Sequence, residues 1–356
     1  MSSKDPFTAE LLEVSAAGYA SLAARRLLEQ HPEVAERFGP DALSAWKSAL
    51  AQRVVELAAA LKLGAPRVFA GRVLWTESAF RAREIPVEDL QASLEALAAV
   101  LQEELPEASR KPVGQTLALA LEALEGSGPR SEMVLDPGTP TGQLALKYIT
   151  AVLEGDSRAG IDLVLGQLDH GLSVESAYVD VLMPAQRELG RLWHAGELGI
   201  AEEHLVTHTT QRLMSLLAHR APRAEANGYT AVCASVLGNA HDIGIRVIAD
   251  FLEIAGWRSI YLGADVPASE LSAAVQYFEG DLLVLSAALP TQLEHVGAAT
   301  ASVRRLENRD VKVMVGGLAF GDQPELWKTL GADGYAESAS EAVDLAASLV
   351  AGRKPG

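Results

Sequence analysis

The chain changes its hydrophobic period once in a decisive way. Up to about residue 128, apolar residues recur every three or four positions, as in "AELLEVSAAGYASLAARRLLEQ" (9–30) and "VEDLQASLEALAAVLQEEL" (87–105), the spacing of amphipathic helices. Breaks at "HPEV", "FGPD", "LGAPR", "REIPVED" and "SRKP" divide this stretch into about six helices, which predicts an all-α N-terminal domain over residues 1–128. The stretch "GSGPRSEMVLDPGTPTG" (126–142) has no period and is rich in glycine and proline, so residues 129–142 read as a linker. Four more helical patterns run from Gln143 to about Arg220; their short connections imply antiparallel neighbours and a four-helix bundle over 143–222.

After Tyr229 the texture is different. The apolar runs "TAVCASVL", "SIYLG", "LLVLSAAL", "VKVMVG" and "GYAES" each precede a helical pattern, with helices expected from Ile243, Ala268, Gln292 and Glu341. Near-continuous apolar strands alternating with helices specify a parallel sheet covered on both faces. The fold class is therefore multidomain α and α/β. Its C-terminal part, residues 227–352, is a flavodoxin-like, doubly wound, Rossmann-like domain in which ligands bind past the carboxyl ends of the first and third strands.

Composition narrows the function. At 356 residues the chain is long enough for two or three domains. A formal charge of −17, spread along the sequence, argues against a surface built for nucleic acid. No apolar run approaches the length of a membrane helix and the N-terminus lacks a signal-peptide pattern, so we expect a cytoplasmic protein. The single cysteine, Cys233, lies in an apolar run where burial is expected. It excludes a disulfide within the chain and any multi-cysteine metal cluster.

Candidate chemistry gathers at the predicted carboxyl edge of the sheet. His241 and Asp242 follow strand one in "LGNAHDIG", between Gly238 and Gly244; Ser286 closes strand three; Gly316 and Gly317 follow strand four. Glycines there let a flat ligand approach the backbone, and a loop histidine can place a nitrogen on a metal. The same glycines could instead shape a phosphate-binding turn, and a lone loop histidine could be an ordinary surface residue.

As a set, "HDIG", the serine and the glycine pair resemble the cobalamin-binding domain signature, which is normally an acid, one residue, histidine, two residues and glycine, followed by serine and a glycine pair. The resemblance implies that His241 is the lower axial cobalt ligand. It places the cofactor against Asn239, Asp242, Ile243, Gly244, Ser286, Leu289, Gly316 and Gly317. Asn239 departs from the pattern, standing where the family carries an acid that orients the histidine. A neutral amide can still orient the ring but cannot raise its basicity as a carboxylate does.

Upstream, "GRLWHAGELGIAEEH" (190–204) resembles the helical cap of methionine synthases, corrinoid methyl carriers and cobalamin photoreceptors, with Gly190, Trp193, Gly196, Ala201, Glu203 and His204 in step. Trp193 followed by His194, with Glu203 and His204, is similar to the light-sensing adenosylcobalamin repressors of the CarH type. That resemblance implies a tryptophan packed over the adenosyl group and a neighbouring His194 that takes the upper cobalt position after light. Against it, Trp193 could be an ordinary bundle aromatic, and His204 with His208 could form a minor metal site or a solvated face. No repeated strand pattern of a mutase barrel precedes the cap, and an uncharged-to-acidic helical domain stands where the repressors carry a basic DNA-binding domain. We therefore expect no direct DNA binding.

A helical domain joined to a cap and cobalamin module is also the architecture of the photocobilins, which pair cobalamin with biliverdin. A bilin here would be noncovalent, and Phe69, Arg72 and Trp75, on neighbouring turns of "RVFAGRVLWTESAFRAR", are its candidate contacts unless they are plain core. The leading expectation is a photoreceptor that is not an enzyme and that signals through a light-dependent homo-oligomer or a downstream signalling protein. Its rivals are a corrinoid methyl carrier of a methyltransferase system and a cobalamin-level sensor.

Overall fold

The structure is a computed structural model, and it describes residues 4–126, 134–307, 310–321, 323 and 325–352. Six helices make up the N-terminal part: α1 (Pro6–Gln30), α2 (Pro32–Phe38), α3 (Ala42–Leu63), α4 (Pro66–Ala82), α5 (Val87–Glu104) and α6 (Glu107–Glu125). Proline at the first positions of α1, α2 and α4 costs no hydrogen bond there and presets the helical backbone. Gly64, left-handed at φ 65°, ends α3. One core joins these helices, with Leu12 and Leu27 of α1 packed with Leu50 and Leu57 of α3 and Leu94, Leu97 and Leu101 of α5.

One expected break is displaced. "SRKP" lies inside α6, with Pro112 in its first half. A proline that early removes a single helical bond, while Val113, Thr116, Leu117 and Ala120 beyond it are buried, so the helix continues. The actual break is at Pro106, the N-cap of α6.

The cap consists of α7 (Pro140–Leu153), α8 (Ser157–Leu168), a run formed by α9 (Val174–Ser176), a π-helical segment (Ala177–Leu182) and α10 (Met183–Ala195), and α11 (Ile200–Arg220). Part of the expected linker, 129–133, lies outside the described residues. Its remainder is anchored: Leu135 is buried, the Val134 N–H donates to Glu188 Oε2 at 2.9 Å, and Thr139 caps α7 through Gly142 N–H.

The sheet domain runs β1 (Thr230–Val236), α12 (Ile243–Ile254), β2 (Arg258–Val266), α13 (Ala268–Tyr277), β3 (Leu282–Ser286), α14 (Leu293–Arg304), β4 (Lys312–Gly316), α15 (Leu326–Thr329), β5 (Gly334–Tyr335) and α16 (Ala339–Val350). All four ladders are parallel, in the order β2-β1-β3-β4-β5, which is the flavodoxin-like order. β1 is buried at every position, as a central strand covered on both faces must be. Cys233 lies within it, and burial pushes its thiol up to about 12.

The chain forms two compact units, one built on α1–α6 with the segments Ala287–Gly297 and Gly317–Leu330, the other on the cap and the rest of the sheet domain. Within the second unit, cap residues Tyr178, Val181, Leu213, Met214 and Leu217 share one core with Val247 and Phe251 of α12. Among the described residues, no helix is long and apolar enough to cross a membrane.

Candidate functional site

The strand order reverses between β2 and β3 on either side of β1, and at that point Ser235 of β1 pairs with Ser286 of β3. Beyond it the chain turns at Gly238 (φ 78°), whose N–H donates to Asp265 Oδ1 at 2.6 Å. Asn239 is fully buried and uses both ends of its amide. Its Oδ1 accepts the backbone N–H of His241 at 3.1 Å, and its Nδ2 donates to the Ser286 carbonyl at 3.1 Å. Ser235 Oγ donates to the His241 carbonyl at 3.0 Å. The histidine is thus pinned through its backbone on both sides while its side chain stays exposed. Asn239 therefore holds the histidine through its backbone: its Oδ1 accepts the main-chain N–H of His241.

Asp242 is the N-cap of α12 yet makes no side-chain capping bond, because its carboxylate is engaged elsewhere. Oδ1 accepts from Gln211 Nε2 of α11 at 3.0 Å, and Oδ2 accepts from the Tyr261 hydroxyl of β2 at 2.6 Å. Burial, and then this bond to the carboxylate, push the Tyr261 phenol well above its ordinary value. One turn on, Arg246 donates to Ser215 Oγ of the cap at 2.7 Å and stands 5.9 Å from the Tyr261 ring centre.

A second latch lies deeper. Tyr178, in the π-helical segment, donates to Asp250 Oδ2 at 2.6 Å, with the Met214 carbonyl 2.9 Å away. Burial raises the Asp250 carboxyl above its usual range, while the Tyr178 bond and Arg246 pull it back. The sequence reading missed Gln211, Tyr261, Tyr178 and Asp250. The available signal was a tyrosine, with its polar tip, in the otherwise apolar run of β2.

On the cap, Trp193 and His194 occupy the last turn of α10, which Gly196 (φ 78°) terminates. Trp193 is 39% exposed, unusual for so large an apolar residue. Glu203 of α11 faces the Thr207 hydroxyl at 2.7 Å and His204 Nδ1 at 2.6 Å. The polar chain continues inward through Gln186, 3.2 Å from Thr207, and Thr210, 2.8 Å from Gln186, to Tyr148 at 2.7 Å, whose phenol burial pushes up to about 12. His204 and His208 have ring centres 6.1 Å apart, but His208 Nδ1 lies against Gln211. Among the described residues, no three His, Cys, Asp or Glu side chains gather to hold a metal ion, so a site formed by His204 and His208 is incomplete without an outside ligand.

The glycines divide into two kinds. Gly316, the last residue of β4, would place a Cβ 2.8 Å from the Ala336 carbonyl oxygen, and Gly317 has φ 103°. The chain's own backbone requires glycine at both positions. Gly244 differs: a Cβ there meets nothing within 4 Å, and no positive φ excuses it. A glycine in the first turn of α12 that packing does not need leaves a flat patch beside His241. Half-buried Ile243 sits between Asp242 and that patch, packed on the cap core. Leu289, half-buried, donates its N–H to Gln292 Oε1 at 2.9 Å.

These features fit a flat, metal-bearing cofactor. His241 stands exposed on a pinned backbone, Gly244 leaves the adjoining surface bare, and the strand ends Ser286 and Gly316 lie beside it in register.

In the helical domain, Phe69, Arg72 and Trp75 do not share an open surface. Phe69 is fully buried in the core and Trp75 is 44% exposed. Arg72 Nε pairs with buried Glu56 at 3.1 Å and its guanidinium lies 4.3 Å from the Trp75 ring centre. Phe69 thus has the plain core packing that the sequence left open for it.

Comparison with known proteins bears on the same two modules. Two models, each described as a B12 binding domain, match residues 144–218 and 229–344. The chain is 30% identical over 168 residues to the dimethylamine corrinoid protein 3 of Methanosarcina mazei, covering 46% of this chain and 99% of that one. It is 32% identical over 157 residues to the HTH-type transcriptional repressor CarH of Myxococcus xanthus, covering 44% of this chain and 52% of the repressor. The monomethylamine corrinoid protein of Methanosarcina barkeri shares the fold, with a TM-score of 0.52 at 22% identity over 58% of this chain and 98% of that one. The pinned His241, the bare Gly244 and the cap latched over α12 thus sit inside the two matched segments, and the chain belongs to the family of cobalamin-binding proteins built on the B12 binding domain.

Proposed function

We propose that this protein is a light sensor that holds adenosylcobalamin between its cap and sheet domain, and that it is not an enzyme. The observation that carries the reading is the pair Trp193-His194 in the last turn of α10, with the large indole left 39% exposed. The cofactor supplies a cobalt–carbon bond that light breaks. This chain's own residues would do the rest: His241 would hold the cobalt from the sheet domain, Trp193 would cover the adenosyl group, and Glu203 with His204 would line its edge. His194, beside Trp193 in the last turn of α10, would be the residue to take up the cobalt after light, which would tie α10 to the sheet domain. The division of labour is then a helical sensory or interaction domain (1–128), a cap (143–222) and a cobalamin domain (227–352), acting in the cytoplasm through a changed oligomer or a signalling partner. A biliverdin in the helical domain would be held without a thioether, since Cys233 is buried in β1. Co-production with a bilin source, followed by denaturing chromatography, tests that part.

The principal test is the absorption spectrum of the full chain loaded with adenosylcobalamin, in darkness and after illumination. The parent should change spectrum on illumination; His194→Ala should match it in darkness, still respond to light, and miss the final lit spectrum. A His194→Ala protein with the parent's lit spectrum removes His194 from the mechanism.

A second reading has its own support. Nearly the whole of a dimethylamine corrinoid protein aligns with this chain, which favours a methyl carrier serving a methyltransferase. An adenosylcobalamin adduct that survives bright light unchanged, in a protein that accepts and releases a methyl group, would establish that reading over the sensor.

A further inference from the structure

Helix α1 is apolar on two opposite faces. Its inner face, Leu12, Ala16, Ala20, Ala23 and Leu27, is buried in the helical core. Its outer face carries Phe7 (67% exposed), Val14 (82%) and Leu22 (45%), with Gly18 between them and Leu11, partly buried against the helical core, at its edge. Positions 7, 11, 14, 18, 21 and 25 step by four and three residues, the seam of a two-helix contact. Among the described residues, the inner face is covered and the outer apolar residues stay exposed. The outer face is also shaped: Ser15, Gly18, Tyr19, Ser21, Leu22 and Arg25 line a shallow groove of about 380 Å³, and a Cβ on Gly18 would meet nothing within 4 Å.

We infer that α1 is a homodimer interface, packed antiparallel against α1 of a second copy. The charge pattern selects this occupant and orientation. Antiparallel pairing centred between Val14 and Gly18 sets the prominent Val14 of each copy into the groove at Gly18 of the other. Phe7 then lies on the Arg25 stem. The same register brings Lys4 of each copy to Glu29 of the other, and Glu10 within one turn of Arg25, so opposite charges flank the apolar seam at both ends. Arg26 is not needed, being held by Glu103 at 2.6 Å. Parallel pairing would instead place Arg25 on Arg25 and glycine on glycine, with no knob for either groove. The interface belongs to the helical domain and is independent of the cofactor reading.

The test is the molar mass of the full chain by light scattering or sedimentation, in darkness, with and without cobalamin. The parent should give twice the 37.7 kDa chain mass. Val14→Glu, at an exposed position that leaves the fold intact by circular dichroism, should raise the dimer dissociation constant at least tenfold, a loss of about 1.4 kcal/mol. Glu10→Arg and Arg25→Glu should each weaken the dimer and the double variant should restore it, a rescue that only antiparallel pairing provides. A parent that is monomeric at high concentration, or a Val14→Glu protein with the parent's mass, overturns the proposal. Failure of rescue overturns the orientation.

Discussion

The latch between Tyr178 and Asp250 offers a measurable test of how the cap is held on the sheet domain. Tyr178→Phe removes one hydroxyl from a fully buried ring and changes little else, since the ring's edge contact with Phe251, at 5.8 Å between centres, survives. The lost bond is 2.6 Å long and runs to a carboxylate. Bonds to charged groups contribute about 1.5–3 kcal/mol, and Asp250 keeps its ion pair with Arg246, at 4.0 Å. We therefore expect a deficit of about 2 kcal/mol in the unfolding of the cap–sheet module at neutral pH, and a melting point lower by about 4–8 °C for a module of that size.

The deficit should depend on pH with a definite sign. Asp250 is raised in the folded protein from its ordinary 3.8, so the folded state binds its proton more tightly than the unfolded state does. Its contribution to stability is full below the unfolded value and is lost as pH rises through the folded value. The Tyr178 bond favours the charged carboxylate, and removing it pushes the carboxyl higher still. Parent and variant should thus differ most at neutral pH. The gap should narrow toward about 1 kcal/mol, the worth of a neutral bond, as pH falls toward the ordinary aspartate range. Urea denaturation of the apoprotein at several pH values, followed by cap and sheet tyrosine signals, provides the measurement. Equal deficits at pH 7 and pH 4.5, or a gap that widens in acid, would refute the reasoning.

Three further outcomes follow from the site. His241→Ala should fold as the parent does, because its backbone anchors are unchanged, but should bind cobalamin more weakly and with an altered visible spectrum; an unchanged affinity and spectrum would remove His241 as a ligand. Gly244→Ala should raise apoprotein stability by up to about 1 kcal/mol, the helix-propensity difference, while lowering cobalamin affinity; a gain in both would show that the bare patch holds nothing. Asn239→Asp should destabilise the apoprotein by about 1–3 kcal/mol, the cost of an unsatisfied buried group, read by denaturant titration.

Much of the architecture was legible because it rests on local signals. The change from helical spacing to unbroken apolar runs marked the sheet domain, and the strand after Tyr229 can lie inside the sheet, between β2 and β3, because every one of its residues is apolar or small. Boundaries were less legible where tertiary contacts set them. β2 runs from Arg258 to Val266, longer than "SIYLG", because it follows β1 through two register shifts. β3 stops at Ser286, short of "AAL", because Leu289 turns into the Pro290–Gln292 helical turn. α16 begins at Ala339, two residues before the expected Glu341, because Ser338 accepts the Glu341 N–H as its N-cap. The latches escaped because Gln211 and Asp242 are 31 residues apart and Tyr178 and Asp250 are 72 apart. No period in a single sequence says which helix covers which strand end. Phe69 shows the limit of spacing, which placed three residues on neighbouring turns while packing decided that one of them lies in the core.

Asn239 shows how far a motif can be followed before atoms are needed. The signature expects an acid at this position, and read as a motif the amide is a weaker acid substitute. In the structure it is the residue that fits. A carboxylate would keep the acceptor for the His241 N–H but would replace the donated bond to Ser286 with a second acceptor 3.1 Å from a carbonyl oxygen. Two acceptors facing each other in a fully buried site repel, and the desolvated carboxylate would have one N–H where it needs several. The departure therefore lets one side chain tie the end of β3 to the His241 backbone, binding the two strands that flank the switch point. It follows that Asn239→Asp can be tolerated only if the carboxylate swings away from Ser286 toward the imidazole, raising its basicity. An apoprotein of unchanged stability with tighter cobalamin binding would mean that this rearrangement occurs, and that the loop keeps the alternative open.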